Sequence, residues 1–199
     1  MDANIENTFT RIYKTGEWKA PFGTESGPGS VKQLAKKYFA FLTSFVKRNN
    51  IQTILDLGCG DFNLMKHFDF TSVTYTGVDA VKHVIDSNVT RYSASNISFV
   101  HADITTHISE QLYDLVIIKD VLQHLSSDQI IQTVKNINYA KYILVYNDFG
   151  RNTPHNNSIR AGECRTINLQ KPPFSFKTEP LMNVYTINEF RRAEIIFSV

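Results

Sequence analysis

The sequence predicts an α/β fold, a doubly wound and mostly parallel sheet with helices on both faces, on three observations. From Ile51 onward, apolar runs of strand length alternate with amphipathic stretches, the pattern of parallel strands joined by crossovers. The first run, Ile54-Leu55-Asp56-Leu57, leads directly into the turn Gly58-Cys59-Gly60. Carboxylates accompany the ends of the first three runs, at Asp56, Asp79 and Asp103.

Each element has its own signal. A short helix is expected near Ile5–Tyr13, followed by a loop from Thr15 to Gly29. Ser30 reads as an N-cap for a helix that places Leu34, Tyr38, Leu42, Phe45 and Val46 on one face and ends near Asn49-Asn50. The strands expected next are 54–57, 73–79, 97–100, 113–118 and 142–146. Between them, 81–89 reads as a helix, and Ser126-Ser127-Asp128-Gln129 has the spacing of a capping box that opens another. The stretch 150–173, rich in Asn, Arg, Gly and Pro, reads as a long surface loop of the kind that often carries function. Residues 193–199 read as a final strand.

Bulk properties bound the possibilities. A chain of 199 residues with 42% hydrophobic and 20% charged residues suits one globular domain. Residues 1–30 are set apart as an N-terminal arm or lid, and residues 31–199 form the domain proper. The formal net charge of +2 argues against a dedicated polyanion-binding surface. No apolar run is long enough to span a bilayer, so no membrane association is expected. The opening residues lack a basic start and an apolar stretch, and Cys59 and Cys164 read as free thiols. A cytoplasmic location follows as the expectation. No zinc spacing is present, and no metal is expected.

The turn narrows the ligand. Glycines there let backbone approach a bound molecule closely. A dinucleotide site wants a third glycine three residues after the second, where this chain has Asn63, and Asp61 directly after Gly60 would repel a pyrophosphate. Adenosine joined to a sulfonium amino acid would not be repelled. Asp56 suits the cationic end of such a ligand, Asp79 its ribose hydroxyls, and Asp103 an adenine amino group, with the Ile104 N–H facing a ring nitrogen.

Residues 51–148 resemble the class I S-adenosylmethionine-dependent methyltransferases, through Ile54-Leu55-Asp56-Leu57-Gly58-Cys59-Gly60, Gly77-Val78-Asp79, His101-Ala102-Asp103 and Asp114-Leu115-Val116-Ile117, in that order. The resemblance implies a Rossmann-like, seven-stranded sheet with a reversed, antiparallel last strand. It also implies S-adenosylmethionine as cofactor, S-adenosylhomocysteine as product, and cofactor contacts at Asp56, Gly58, Cys59, Gly60, Asp79, Ala80, Asp103, Ile104 and Lys119. Many members carry a further glycine where this chain has Phe62.

Methyl transfer asks the protein to align a nucleophile and accept a proton. Lys119-Asp120-Val121-Leu122-Gln123-His124, after the fourth strand, resembles the segment where small-molecule methyltransferases carry an Asp and a following His. His124 is the candidate base, with a polar structural role as the alternative, and Asp120 is its orienting or substrate-binding partner. Tyr13, Trp18 and the run Ser26-Gly27-Pro28-Gly29-Ser30 suggest a lid over cofactor and acceptor, or packing anchors for the arm. Arg160 and Arg165, with Arg151 and His155, lie in the 150–173 loop, where arginines suit an acceptor carboxylate or phosphate.

The leading expectation is O-methylation of a small-molecule or sugar-containing acceptor, since no Asn-Pro-Pro-Tyr type motif follows the fourth strand. The alternatives are an RNA methyltransferase, raised by Lys32, Lys36, Lys37, Lys47 and Arg48, and a catalytically silent binding scaffold. A dehydrogenase is disfavoured by Asn63. The acceptor atom and the oligomeric state are not fixed by the sequence.

Overall fold

A computed structural model describes residues 4–20, 23–33, 35–150, 155–185 and 190–197. The chain forms two compact units, Met1–Ile104 and Thr105–Val199. The sheet has seven strands, with β3-β2-β1 in the first unit and β4-β5-β7-β6 in the second.

In the first unit, helix α1 (Ile5–Thr15) opens under the Asn4 side chain, which accepts the Asn7 N–H, and closes at Gly16 in the left-handed conformation. Helix α2 (Lys36–Arg48) buries Tyr38, Leu42, Phe45 and Val46, the face that the periodicity gave. Its start differs from expectation. Ser30 ends a separate 3₁₀ turn, Pro28–Ser30, and Ala35 stands at the helix N-cap without a side-chain bond. Leu34 lies outside the described residues. Strand β1 (Thr53–Leu57) pairs in parallel with β2 (Thr74–Asp79), and β2 with β3 (Ile97–His101). β1 is buried nearly throughout, as a strand covered on both faces should be, whereas β3 is largely exposed. Helix α3 (Lys82–Tyr92) follows β2.

In the second unit, β4 (Tyr113–Lys119) pairs in parallel with β5 (Ala140–Asp148). Helix α4 (Ser127–Asn136) lies between them in sequence and begins with the expected capping box: the Ser126 hydroxyl accepts the Gln129 N–H, and the Gln129 side chain accepts the Ser126 N–H. Strand β7 (Phe190–Ile196) runs antiparallel to both β5 and β6 (Thr178–Tyr185), so the last strand is the reversed one. β6 was not anticipated. It carries Pro180 and a register shift between Pro180 and Met182, and its burial does not alternate cleanly. Ser198 and Val199 lie outside the described residues.

The expected loop holds no helix or strand between residues 155 and 177, but it is not merely superficial. Ile167, Leu169, Phe174 and Phe176 are buried. Asn156, at φ 61°, organises it by donating from Nδ2 to the carbonyls of Asn168 and Pro172, each at 2.9 Å, and by accepting the Asn168 N–H. Among the described residues, no helix is long and apolar enough to cross a membrane.

Candidate functional site

In the first unit, β1 delivers Asp56 and the glycine turn. The N–H groups of Gly58 and Cys59 both donate to the Val78 carbonyl, at 2.8 and 3.0 Å, which pins the turn to the end of β2. Gly58 and Gly60 have φ values of 82° and 57°, a region where L side chains are strained. Gly60 has a second constraint. A Cβ there would lie 2.5 Å from Ser26 Oγ and 3.1 Å from the Tyr13 hydroxyl.

Asp79 clamps this turn. Its Oδ2 accepts the Gly60 N–H at 3.0 Å and its Oδ1 the Val81 N–H at 2.9 Å. Burial pushes its pKa up, and backbone N–H groups of Val81, Gly60 and Ala80 oppose that. A carboxylate has about four acceptor positions, so these bonds do not exhaust it. From α3, the Asn88 side chain donates to the Gly60 carbonyl at 2.7 Å. Asp56 is buried and accepts the Tyr75 hydroxyl at 2.7 Å. Ala80 and Ile104 are buried, and Asp103 is half-buried just beyond β3. Cys59 turns inward against Gly77, where an added Cβ would come within 2.9 Å of its sulfur. Burial, then the charges of Asp79 and Asp56, push its thiol pKa well up. Cys59 therefore serves as a small apolar filler and not as a nucleophile.

The N-terminal arm is latched to the turn. Ser26 Oγ accepts the Asp61 N–H at 2.8 Å and is 2.6 Å from the Tyr13 hydroxyl. The Asp61 carboxylate accepts the Thr24 hydroxyl at 2.9 Å, the Glu25 N–H at 2.8 Å and the Asn63 N–H at 3.2 Å. Tyr13 is buried against Val81 and Val84, while Trp18 packs on Phe9 and Tyr13. Ser26 and Asp61 are thus site residues that sequence reasoning did not name in this role. The serine-glycine run and the residue after Gly60 were visible signals, but their pairing across 35 positions was not.

In the second unit, Lys119 and Asp120 end β4. The Lys119 ammonium donates to Asp120 Oδ2 at 2.5 Å, and Arg191 of β7 donates to Asp120 Oδ1. Burial alone would raise the Asp120 pKa, but Lys119 and Arg191 outweigh it and hold the carboxyl below its ordinary range. Asp120 has φ 56°, the left-handed region that Asp tolerates better than most residues. Its N–H donates to the Tyr146 carbonyl at 2.7 Å.

His124 follows in a 3₁₀ turn, Leu122–His124. The neighbouring bonds assign its tautomer. The Asp148 N–H donates to Gln123 Oε1 at 2.8 Å, which points Gln123 Nε2 at His124 Nε2, 3.3 Å away. His124 Nε2 therefore accepts, and Nδ1–H donates to the Glu163 carbonyl at 3.0 Å. Burial lowers the His124 pKa, so the ring is neutral at pH 7. Two more bonds join this turn to the 160–165 segment: Gly162 N–H to the His124 carbonyl at 2.9 Å and Arg165 N–H to the Gln123 carbonyl at 3.2 Å. Arg165 is buried beside this turn, whereas Arg160 is exposed, so the two arginines do not form one pair. Arg151 lies outside the described residues. The sequence reading gave Gln123 no role and did not name Arg191. Gln123 gave no signal, and Arg191 becomes relevant only through strand pairing. Among the described residues, no group of three or more His, Cys, Asp or Glu is placed to hold a metal.

The chain is similar to several known proteins. Residues 54–140 match a family model described as a methyltransferase domain. (S)-coclaurine N-methyltransferase of Papaver somniferum is 29% identical over 102 residues, which are 46% of this chain and 28% of that protein. The chain thus aligns with little more than a quarter of that curated relative. Among solved structures, DhpI in complex with SAH superposes with a TM-score of 0.67 at 14% identity, covering 96% of each chain. Magnesium protoporphyrin IX methyltransferase from Synechocystis with bound SAH gives 0.61 at 12% identity, covering 96% of this chain and 95% of that one. A methyltransferase from Clostridium acetobutylicum gives 0.61 at 15%, covering 97% and 98%. At such identities these structures establish the fold. The matched segment carries Asp56, Gly58, Gly60, Asp79 and Asp103, and together with the shared fold it supports a class I S-adenosylmethionine-dependent methyltransferase.

Proposed function

We propose that this protein transfers a methyl group from S-adenosylmethionine to an oxygen of a small-molecule or sugar-containing acceptor. The observation that carries the reading is the Asp79–Gly60 clamp. It fixes the glycine turn, whose Gly60 is packed too closely against Ser26 and Tyr13 to carry a Cβ, to a buried carboxylate whose acceptor positions these bonds do not exhaust. Asp56, Gly58, Cys59, Gly60, Asp79, Ala80, Asp103, Ile104 and Lys119 are the residues assigned to the cofactor. When bound, the cofactor supplies a methyl group already activated on a sulfonium.

The chain's own residues then align the acceptor and take its proton. In this reading His124 Nε2, already unprotonated, accepts the proton from the acceptor hydroxyl, which frees the oxygen's electron pair for the methyl group that the cofactor would supply as its carbon–sulfur pair stays with sulfur. The long 3.3 Å bond from Gln123 yields as the proton arrives. Asp120, held by Lys119 and Arg191, is assigned to orient this end of the site and stabilise the imidazolium that forms. The arm is assigned to lie over the turn, which the Tyr13–Ser26–Asp61 latch supports, and Tyr13 and Trp18 are assigned to the acceptor. Arg160 is assigned to the acceptor at the exposed rim. The partial likeness to an N-methyltransferase makes nitrogen the rival acceptor atom.

The experiment is calorimetric titration with S-adenosylhomocysteine, with NADH as a control, followed by methyl transfer to a panel of hydroxyl, carboxyl and amine acceptors. Saturable binding of S-adenosylhomocysteine that is lost in Asp79→Ala, with turnover lost in His124→Ala, supports the reading. Absence of binding overturns it.

A further inference from the structure

We propose that the acceptor carries an oxyanion, a carboxylate or a phosphate, that is bound by the guanidinium of Arg165. This rests on the methyltransferase reading and narrows its substrate class. Arg165 is only 7% exposed, yet among the described residues its Nε, Nη1 and Nη2 have no hydrogen-bond partner. A guanidinium cannot shed its charge at working pH, and a buried, unpaired charge is strongly destabilising. Folding retains such a group where a ligand completes it, because stability given up at one position is a common accompaniment of function.

The surroundings match an anion. The main chain of Arg165 is fixed by its N–H bond to the Gln123 carbonyl, next to the candidate base. Its charge acts on His124, and on Cys164 together with Arg191, Asp148 and Asp120. Of these carboxylates, Asp120 is already held by Lys119 and Arg191. The fork of Arg165 therefore remains as a planar, bidentate donor set, which suits carboxylate and phosphate oxygens. Its nitrogens are shielded from solvent, so entry of the anion requires the adjoining segment to move aside. Asn157, Ser158, Arg160, Glu163 and Cys164 are exposed there. The bonds from Gly162 to His124 and from His124 to Glu163 are the ties that would loosen.

The test uses the full chain saturated with S-adenosylhomocysteine and takes inorganic phosphate and acetate as probes. Thermal midpoints and calorimetric affinities are measured for wild type, Arg165→Met and Arg165→Lys. Arg165→Met removes the unpaired charge while keeping an apolar stem. It should match or exceed the wild-type midpoint without anion, and it should bind phosphate or acetate at least tenfold more weakly. Arg165→Lys, which keeps the charge and loses the fork, should fall between them. S-adenosylhomocysteine affinity should change less than twofold in both variants. The probe that gives the larger wild-type shift identifies the oxyanion. Equal anion affinity in wild type and Arg165→Met, no anion binding by wild type, or a large loss of midpoint in Arg165→Met would each overturn the proposal. Loss of S-adenosylhomocysteine binding by wild type would instead sink the methyltransferase reading beneath it.

Discussion

Asp79 and Gly60, on consecutive parallel strands and their turns, are joined by a 3.0 Å bond from the glycine N–H to Asp79 Oδ2. The same carboxylate takes the Val81 N–H on its other oxygen, so one side chain sets both the turn after β1 and the start of α3. Asp79→Asn keeps the size but presents an amide NH₂ where one of two N–H donors needs an acceptor. An unmet buried donor costs about 1–3 kcal/mol. The thermal midpoint should fall, and S-adenosylhomocysteine affinity should drop about tenfold or more, about 1.4 kcal/mol, by calorimetry. Unchanged affinity with a lowered midpoint would confine Asp79 to holding the turn.

Gly60→Ala tests the packing of the turn against the N-terminal arm. The added methyl would meet Ser26 Oγ at 2.5 Å, and the backbone, at φ 57°, already disfavours any side chain. Ser26 cannot retreat without giving up the Asp61 N–H and Tyr13 hydroxyl bonds. Destabilisation of about 1–3 kcal/mol is expected from the backbone conformation alone. In a Ser26→Gly background, where both of those bonds are already lost, Gly60→Ala should cost only the conformational part. Chemical denaturation in the two backgrounds separates the two parts.

Phe62 stands where the family resemblance leads one to expect a glycine, and its backbone conformation is one that suits glycine. Its φ is 59°, again left-handed. The ring is 2% exposed and packs on Phe70, Tyr75, Tyr92 and Phe99, with centroids 5.0–6.0 Å apart. Phe62→Gly would relieve about 1–3 kcal/mol of backbone strain and remove a buried aromatic whose loss costs about 3–5 kcal/mol. The second effect is larger, so the variant should be less stable. Its S-adenosylhomocysteine affinity should stay near wild type, since the ring packs within this aromatic cluster. A stabilised variant would show that strain dominates here.

The legible parts of this molecule are those that local chemistry specifies. Strands β1, β4 and β5 are built on apolar runs, α4 announces itself through Ser126 and Gln129, and the turn through Gly58 and Gly60. β6 was hidden because Pro180 interrupts it and its exposed positions do not alternate. The beginning of α2 was misplaced because no side chain caps it, while Ser30 looked like a cap and ends a 3₁₀ turn instead. The candidate site was half legible for a related reason. Asp79 announces itself at a strand end, whereas Arg191 reaches Asp120 across 71 positions through antiparallel pairing of β7 with β5. Asp61 was read as a charge facing a ligand, but its oxygens are spent on Thr24, Glu25 and Asn63.

His124 gives the pH dependence its sign. Its folded pKa lies below the ordinary 6.5, first through burial, with Arg191 and Arg165 adding to the decrease and the Glu163 carbonyl and Asp120 opposing it. The unfolded chain therefore binds the proton more readily. The contribution to stability is complete above about pH 6.5 and is lost as pH falls from there toward the folded value. If His124 is the base, the acid limb of kcat/KM should lie below about pH 6.5, since turnover needs the unprotonated Nε2. Gln123→Glu then moves both quantities in a known direction. One carboxylate oxygen can still accept the Asp148 N–H, while the other faces Nε2 and favours a proton on it. The acid limb should rise by about 1 pH unit or more, and the His124 ring resonances in an NMR titration should move with it. A limb that stays in place while the resonances shift would assign the proton transfer to another group and leave His124 as the residue that ties the 160–165 segment to the end of β4.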